Sequence, residues 1–508
     1  MKHIGIKTVL LATSLAGVLA ITACGGGNTE GPKVPGKPTG DGAGTPAEEV
    51  SKDAQAKFNA ALDAFVEHDK ANNWDDAACG SVAKMFDDAT ASQKGRFAQA
   101  TFNAGLAFQR CNDDKNARAK FEQVLRDDPK FHAARAEVAL YQYKQDSNED
   151  AAIGAMQQAV TDAQFQNVPA LVNLAMFQMM RDGASGQQDC KDDMECAKKN
   201  LQRALAIDDA FMPAFNQLAL YYFQLAKKRA GAVKSSAKGS RGRQVVTHAS
   251  VGKRADQQQL ELASLVCSQA IRKNPNYAPI HNTAGLIQNE LGQVNGAVGE
   301  FATAAKLDPK FFEAQMNFAA VNLGFRGFEQ AQTAYTKALA MRPNDYDAHL
   351  GMALALRGPI TGAENDYDQR VNAVQGELDA AKKLDANRPD AYYNEGILTQ
   401  EFKAKGSLDK EKQKALLKQS QQIFQSFIDK ASGKPEYDGA VKRSKERIQD
   451  IDDTLKFMDL GVEEQKSAAP AGAAPAGAAP AAGAAAPPAA GAAPAPAAPA
   501  APAAAPKP

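Results

Sequence analysis

Apolar and polar positions recur in a fixed frame through the middle of the chain. The phrases Asn274-Pro275-Asn276-Tyr277, Asp308-Pro309-Lys310-Phe311 and Arg342-Pro343-Asn344-Asp345 set three prolines 34 residues apart. Counting from Ala278, the chain places Gly285 at the eighth position, Ala297 at the twentieth, Phe301 at the twenty-fourth, Ala304 at the twenty-seventh and Pro309 at the thirty-second. Counting from Phe312, Ala319, Ala331, Tyr335, Ala338 and Pro343 take the same places. Small residues at this spacing let two antiparallel helices approach closely, an aromatic fills the gap beside them, and the proline ends the second helix. Each helix pair leaves an apolar face that only a neighbouring pair can cover, so the spacing predicts a stack.

A 34-residue period with this pattern of small, aromatic and proline positions resembles the tetratricopeptide repeat (TPR). Further units follow the frame. Ala98 to Phe131 carries Gly105, Phe108, Ala117, Phe121 and Pro129, and His132 to Asn167 carries Ala139 and Ala151. The unit from Val168 holds Leu174, Ala175, Ala197, Leu201 and Ala204 around an insertion near 183–196. The unit from Met212 holds Leu218, Ala219 and Tyr222, then Ala263, Cys267 and Ala270 after an insertion at 227–256. Units from Tyr346, with an insertion at 358–370, and from Pro389 bring the total to about eight between residues 98 and 434. The resemblance implies an all-α fold, a TPR α-solenoid in which helix-turn-helix pairs form a right-handed superhelix.

The flanks extend this plan. Residues 48–97, with Phe58, Leu62, Phe65 and Val66 at helical spacing, read as an N-terminal helical cap, and 435–466, with Val441, Ile448, Ile451 and Leu455, as a C-terminal capping helix. Residues 1–23 have the parts of an export signal: basic Lys2 and Lys7, then an apolar run too short for a permanent span. It ends in Ile21-Thr22-Ala23-Cys24, which resembles the lipobox of bacterial lipoproteins; the resemblance implies cleavage before Cys24 and acylation of that residue with fatty chains such as palmitate. Several chains hold a protein stably at a lipid surface. Gly25 in place of Asp after the cysteine is compatible with transfer to an outer membrane, so the expected place is the cell envelope, anchored at the outer membrane and facing the periplasm. Residues 24–47 are rich in Gly and Pro and read as a flexible tether. The tail 467–508 holds 11 of the chain's 25 prolines and reads as disordered; extended, it would reach on the order of 100 Å, or it is a passive extension.

Charge narrows the partners. The 508 residues carry 59 basic and 59 acidic side chains, so no surplus exists to displace counterions from a nucleic acid. One stretch departs from this balance. Lys227, Lys228, Arg229, Lys234, Lys238, Arg241, Arg243, Lys253 and Arg254 fall within 28 residues without an acid, among glycines and serines that suggest a mobile loop. It is either a solvated insertion or a site for an anionic cell-wall polymer, lipopolysaccharide or acidic protein.

No catalytic constellation is legible: G-x-S-x-G, G-x-x-x-x-G-K-[ST] and H-E-x-x-H are all missing, and no cofactor or metal is implied. His281 and His349 share the fourth position of their repeats, where packing is the simplest role. In an export compartment thiols oxidise, so Cys190 with Cys196 and Cys79 with Cys111 are candidate disulfides, while Cys267 reads as a buried apolar residue.

In TPR proteins the second, fifth, sixth, ninth and twelfth positions of the first helices face a ligand groove. Carried over, the sixth position holds Asn103, Asn173, Asn317 and Asn394, with Asn216 and Asn282 one place earlier. Such amides could grip the backbone of an extended peptide or bond between helices. Met176, Met179 and Met180 could line the groove or belong to the core. The fifth positions hold Phe102, Ala136, Val172 and Leu350, which disfavours the family's clamp for a C-terminal acidic peptide. The whole plan resembles the TPR lipoproteins of adventurous gliding-motility machinery, implying a membrane-anchored scaffold for envelope proteins. Alternatives are an accessory lipoprotein, such as a pilotin or assembly factor for a secretin, pilus or β-barrel, or a subunit of an envelope enzyme.

Overall fold

A computed structural model describes residues 50–467 except Asn72, Gly95, Gln188 and 238–245; for 229–237, 246–256 and 460–467 the description is of the backbone only. The expectations placed on the signal, Cys24, the whole tether, the tail beyond Ser467, and Lys238, Arg241 and Arg243 lie outside the described residues. The chain divides into two units, 1–448 and 449–508.

Helices start and stop where local chemistry satisfies their ends. Asp75, Asp113, Asn148, Asn167, Asp192, Asp345 and Asp409 each accept a first-turn N–H with the side chain, filling one of the donors a helix start leaves unpaired. Stops use one recurrent turn. The side chains of Asp128, Asp208, Asn274, Asp308 and Asp385 accept the N–H two residues on, at 2.9–3.0 Å. Three of the five are followed by proline, which has no N–H to continue a helix.

These signals cut the first unit into α1 (Lys52–Ala71) and α2 (Asp76–Ser92), α3 (Ala98–Arg110) and α4 (Asp114–Asp127), α5 (His132–Asp146) and α6 (Glu149–Asp162), α7 (Val168–Arg181) and α8 (Asp193–Ile207). There follow α9 (Met212–Ala237) and α10 (Val246–Lys273), α11 (Ala278–Glu290) and α12 (Val294–Leu307), α13 (Phe312–Gly324) and α14 (Phe328–Met341), α15 (Tyr346–Arg357) and α16 (Tyr367–Leu384). The last pair is α17 (Asp390–Ile397), continued by a π-helical stretch Leu398–Ala404, and α18 (Lys410–Ala431). A final helix, α19 (Asp438–Ser467), crosses into the second unit. From α1 to α18 each helix packs on the next, and no strand occurs among the described residues.

Inside a pair the aromatic sits on the glycine. A Cβ on Gly105 would fall 2.6 Å from Phe121, one on Gly285 2.6 Å from Phe301, and one on Gly396 2.6 Å from Phe424. Where the eighth position is Ala319, the aromatic turns outward: Tyr335 covers Gly351 of the following pair, whose Cβ would lie 2.2 Å away. Phe121, Phe301, Tyr335 and Phe424 are all buried.

The residues expected to cap the array at its N-terminus form a helix pair of their own, with Phe58, Phe65, Val82 and Phe86 in its core. Asp69 binds this pair to the array, accepting from Trp74 Nε1 at 2.7 Å and from Arg110 at 2.8 and 3.1 Å. A Cys79–Cys111 disulfide, with Cα atoms 6.3 Å apart, crosses the same junction.

Length varies between the two helices of a pair. The connection 182–192 is pinned by Asp193, which takes both forks of Arg181 at 2.7 Å and the Gly183 N–H at 2.9 Å, beside a Cys190–Cys196 disulfide. The connection 358–366 folds on Glu364, which accepts from Thr361 and Gly362. Junctions from one pair to the next stay short.

The basic stretch corrects a sequence expectation. Where the structure describes it, it is helix in place of a mobile loop: α9 runs on to Ala237 and α10 begins at Val246, so Arg229, Lys234, Lys253 and Arg254 stand on helices, while 238–245 lie outside the described residues. Antiparallel pairing of two long helices holds Gly231, Ser235, Ser236, Ser250 and Gly252 in helix despite their low propensity.

Candidate functional site

The first helices of successive pairs touch one another, α7 with α9, α9 with α11, α11 with α13, α13 with α15 and α15 with α17. They therefore form one continuous row, with second helices behind. Of the candidate asparagines, Asn103 stands on α3 and the others on helices of this row, in different states. Asn282 is fully buried and its Oδ1 accepts from Asn317 Nδ2 at 2.8 Å, while Asn216, also buried, accepts from Thr283 Oγ1 at 2.7 Å. These bonds tie α9 to α11 and α11 to α13. Asn103 and Asn394 donate to carbonyls of their own helices, Gln99 at 2.7 Å and Asp390 at 2.9 Å. Asn173 is 1% exposed and neither of its amide atoms has a partner; Asn282 Nδ2 and Gln217 Oε1 are in the same condition.

The remaining candidates separate in the same way. Met176, Met179 and Met180 are buried, and every side chain from Ala170 to Met180 is buried with them, so α7 offers no open surface in its central turns. Lys227 pairs with Glu290 at 3.3 Å and Lys228 with Asp182 at 2.8 Å. Cys267 is buried, which pushes its thiol well above the usual range. His281 is buried and His349 half-buried; each sets one ring nitrogen on a glutamate, Glu300 at 2.7 Å and Glu377 at 2.6 Å, and the other on a proline carbonyl at 2.9 Å.

Two residues escaped the sequence reading. Glu137 takes the sixth position of its repeat, where neighbours carry asparagine, and that break in pattern was its signal. It is buried, accepts from Gln109 Nε2 at 2.8 Å, and burial pushes its pKa up to about 7 against the pull of that bond and of Lys144 and Arg110. Arg357, at the twelfth position of its repeat, had no signal beyond the family's groove positions.

An open cavity of about 740 Å³ lies between the 361–369 segment and the π-helical turn, lined by Asp366, Tyr367, Asp368, Glu401, Phe402 and Lys405. A second, of about 530 Å³, lies between α12, α13 and α14. Among the described residues no three His, Cys, Asp or Glu side chains stand together as a metal site, and no helix is long and apolar enough to cross a membrane.

No family model matches the chain, and no curated protein does either. Among solved structures it is similar to a thermophilic TPR protein of Thermus thermophilus, with 24% identity over 44% of this chain and 98% of that one, at a TM-score of 0.34. It is similar to MamA from Desulfovibrio magneticus RS-1, with 18% identity over 38% of this chain and 99% of that one, TM-score 0.29. A tetratricopeptide repeat protein from Parabacteroides merdae ATCC 43184 gives 12% identity over 62% of this chain and 98% of that one, TM-score 0.35. By fold this is a TPR α-solenoid. Its own 34-residue frame and glycine-seated aromatics carry that statement. Within this TPR array, the face of the first helices is the candidate site, because each pair from α7/α8 to α17/α18 contributes its first helix to one continuous row.

Proposed function

We propose that the protein is a scaffold without catalytic activity, which binds other proteins along its row of first helices. The observation that carries this reading is the continuity of that row from α7 to α17, each first helix in contact with the next. A surface built this way presents side chains from several repeats to one extended or folded partner. We propose further that acyl chains on Cys24 hold the scaffold at the outer membrane, facing the periplasm, and that its partners are components of a gliding-motility complex. Support for the anchor is the Ile-Thr-Ala-Cys sequence after an export-type apolar run.

Crosslinking in intact cells followed by capture of the tagged full chain tests both layers. Motility-complex proteins are the expected partners. A secretin, pilus or barrel-assembly protein would replace the motility assignment with the accessory-lipoprotein reading, and capture of no specific protein would end the scaffold reading. Cys24→Ala should move the chain from the membrane fraction to the soluble fraction and abolish fatty-acid labelling; an unchanged distribution would overturn the anchor.

A further inference from the structure

Most arginines that fold against this array find an acid. Arg110, Arg118, Arg135, Arg181, Arg388 and Arg447, all half-buried, pair with Asp69, Glu122, Asp162, Asp193, Asp347 and Glu401. Arg357 is the exception: among the described arginines that are not exposed, it alone has no carboxylate. Its Nη1 reaches the carbonyl oxygen of Asn394 at 3.3 Å. That carbonyl and the C-terminal end of α15 supply partial negative charge, which is less than a counter-ion. Burial disfavours the Arg357 charge, the Tyr393 hydroxyl favours it, and Arg447 opposes it again, with the pKa left below the usual arginine value. Arginine does not escape such a position by shedding its proton, so the cost stands in the free protein.

Its surroundings do not remedy the deficit. Arg443 Nε donates to the Tyr393 hydroxyl at 3.3 Å, and Arg447 Nη1 is held by Gln400 at 2.6 Å and Glu401 at 2.8 Å. Glu401 already serves both Arg447 and Lys405. Glu395, the other glutamate of this first helix, is occupied by Lys382 and Gln375 of α16. Asp390 accepts from the Tyr437 hydroxyl at 3.0 Å. Gln400 and Glu401 stand on the π-helical stretch, a local widening that recurs at functional sites.

We propose that Arg357 is an anion-binding subsite at the end of the row of first helices, which takes an aspartate or glutamate side chain of a partner protein. A carboxylate matches the planar fork of a guanidinium with two parallel hydrogen bonds. Phosphate sites instead gather backbone N–H groups or a helix N-terminus, and here the nearest helix end, that of α15, points carbonyls at the site. The subsite lies at the twelfth position, apart from the fifth positions whose apolar residues disfavour a terminal-carboxylate clamp. It deepens the scaffold reading and rests on it.

The test uses the full chain with a fluorescent, N-acetylated and C-amidated hexaglutamate peptide, a hexaglutamine counterpart and inorganic phosphate. The wild type should bind hexaglutamate at least about tenfold more tightly than hexaglutamine. Arg357→Met should lose that preference while melting higher than the wild type, because an uncompensated charge has gone; Arg357→Lys should keep part of the preference. Unchanged binding in Arg357→Met, or a lower melting temperature with binding retained, would make Arg357 structural and overturn the proposal. Equal competition by millimolar phosphate would overturn the carboxylate assignment. If intact-cell capture finds partners equally with wild type and Arg357→Met, this inference fails alone; if it finds none, the scaffold reading fails while the peptide result still stands.

Discussion

Glu137 illustrates how one side chain departs from its repeat. Its folded pKa of about 7 lies above the ordinary glutamate value of 4.5, so the fold prefers the neutral acid. Stability from this residue is therefore full below about pH 4.5 and declines as pH rises toward 7. Glu137→Gln keeps the shape and the Gln109 neighbour but removes the titration. Chemical denaturation should show the variant equal to wild type near pH 4 and more stable at pH 8, by a difference on the order of 3 kcal/mol. Parallel curves at all pH values would contradict the burial assigned to this carboxyl. The asparagine positions teach a related lesson. Their places were legible from the repeat frame, but their bonding was not, because it depends on what the neighbouring first helix carries: Thr283 opposite Asn216, Asn317 opposite Asn282.

At the scale of the helix, the fourth position of five first helices works as a staple to the turn before it. Arg135, His281, Gln315, His349 and Tyr392 all donate to the carbonyl six residues back, on Pro129, Pro275, Pro309, Pro343 and Ala386. For His281 the second nitrogen meets Glu300, so both ring nitrogens face acceptors, which favours the doubly protonated ring. Burial opposes that charge, yet the Glu300 and Pro275 bonds and the Glu300 charge outweigh it and hold the pKa above the ordinary histidine value of 6.5. A raised folded pKa means that the stabilisation is full below about pH 6.5 and is lost as pH climbs through the folded value. His281→Gln, which copies the Gln315 staple, should remove this part of the pH dependence while leaving Glu137's decline at lower pH. Urea unfolding of both proteins between pH 6 and 9 checks it, and a constant gap between them would reject the charged staple. Sequence placed His281 in the packing between helices; its proton-carrying role needed the carbonyl and the glutamate to be seen on either side.

For the molecule as a whole, the repeat frame was legible because its physics is local: a glycine and an aromatic sixteen residues apart must meet inside one pair. Features that depend on tertiary pairing were not, as the helical segments 229–237 and 246–256 of the basic stretch show. Because each pair is covered chiefly by its neighbours, damage should spread by adjacency. Gly285→Ala gains about 1 kcal/mol of helix propensity but places a methyl 2.6 Å from Phe301. Overpacking costs about 1–3 kcal/mol, so a net loss is expected. Hydrogen exchange should quicken in α11–α14 and in α9–α10 while α3 and α4 keep their protection; uniform acceleration would mean that the array unfolds as one unit.

The short pair-to-pair junctions and the variable connections within pairs lie on opposite margins of the first unit, and only one of them tolerates editing. Lengthening at residues 182–192 or 358–366 leaves the phase of every later repeat unchanged, whereas one added residue at Pro129 or Pro309 would rotate all that follows against what precedes. A peptide epitope placed between Gly362 and Ala363 should therefore leave the melting temperature within a few degrees of wild type, while a single alanine inserted after Asp308 should lower it sharply. The permissive margin is the natural place to attach a label when the assembly is to be watched at work.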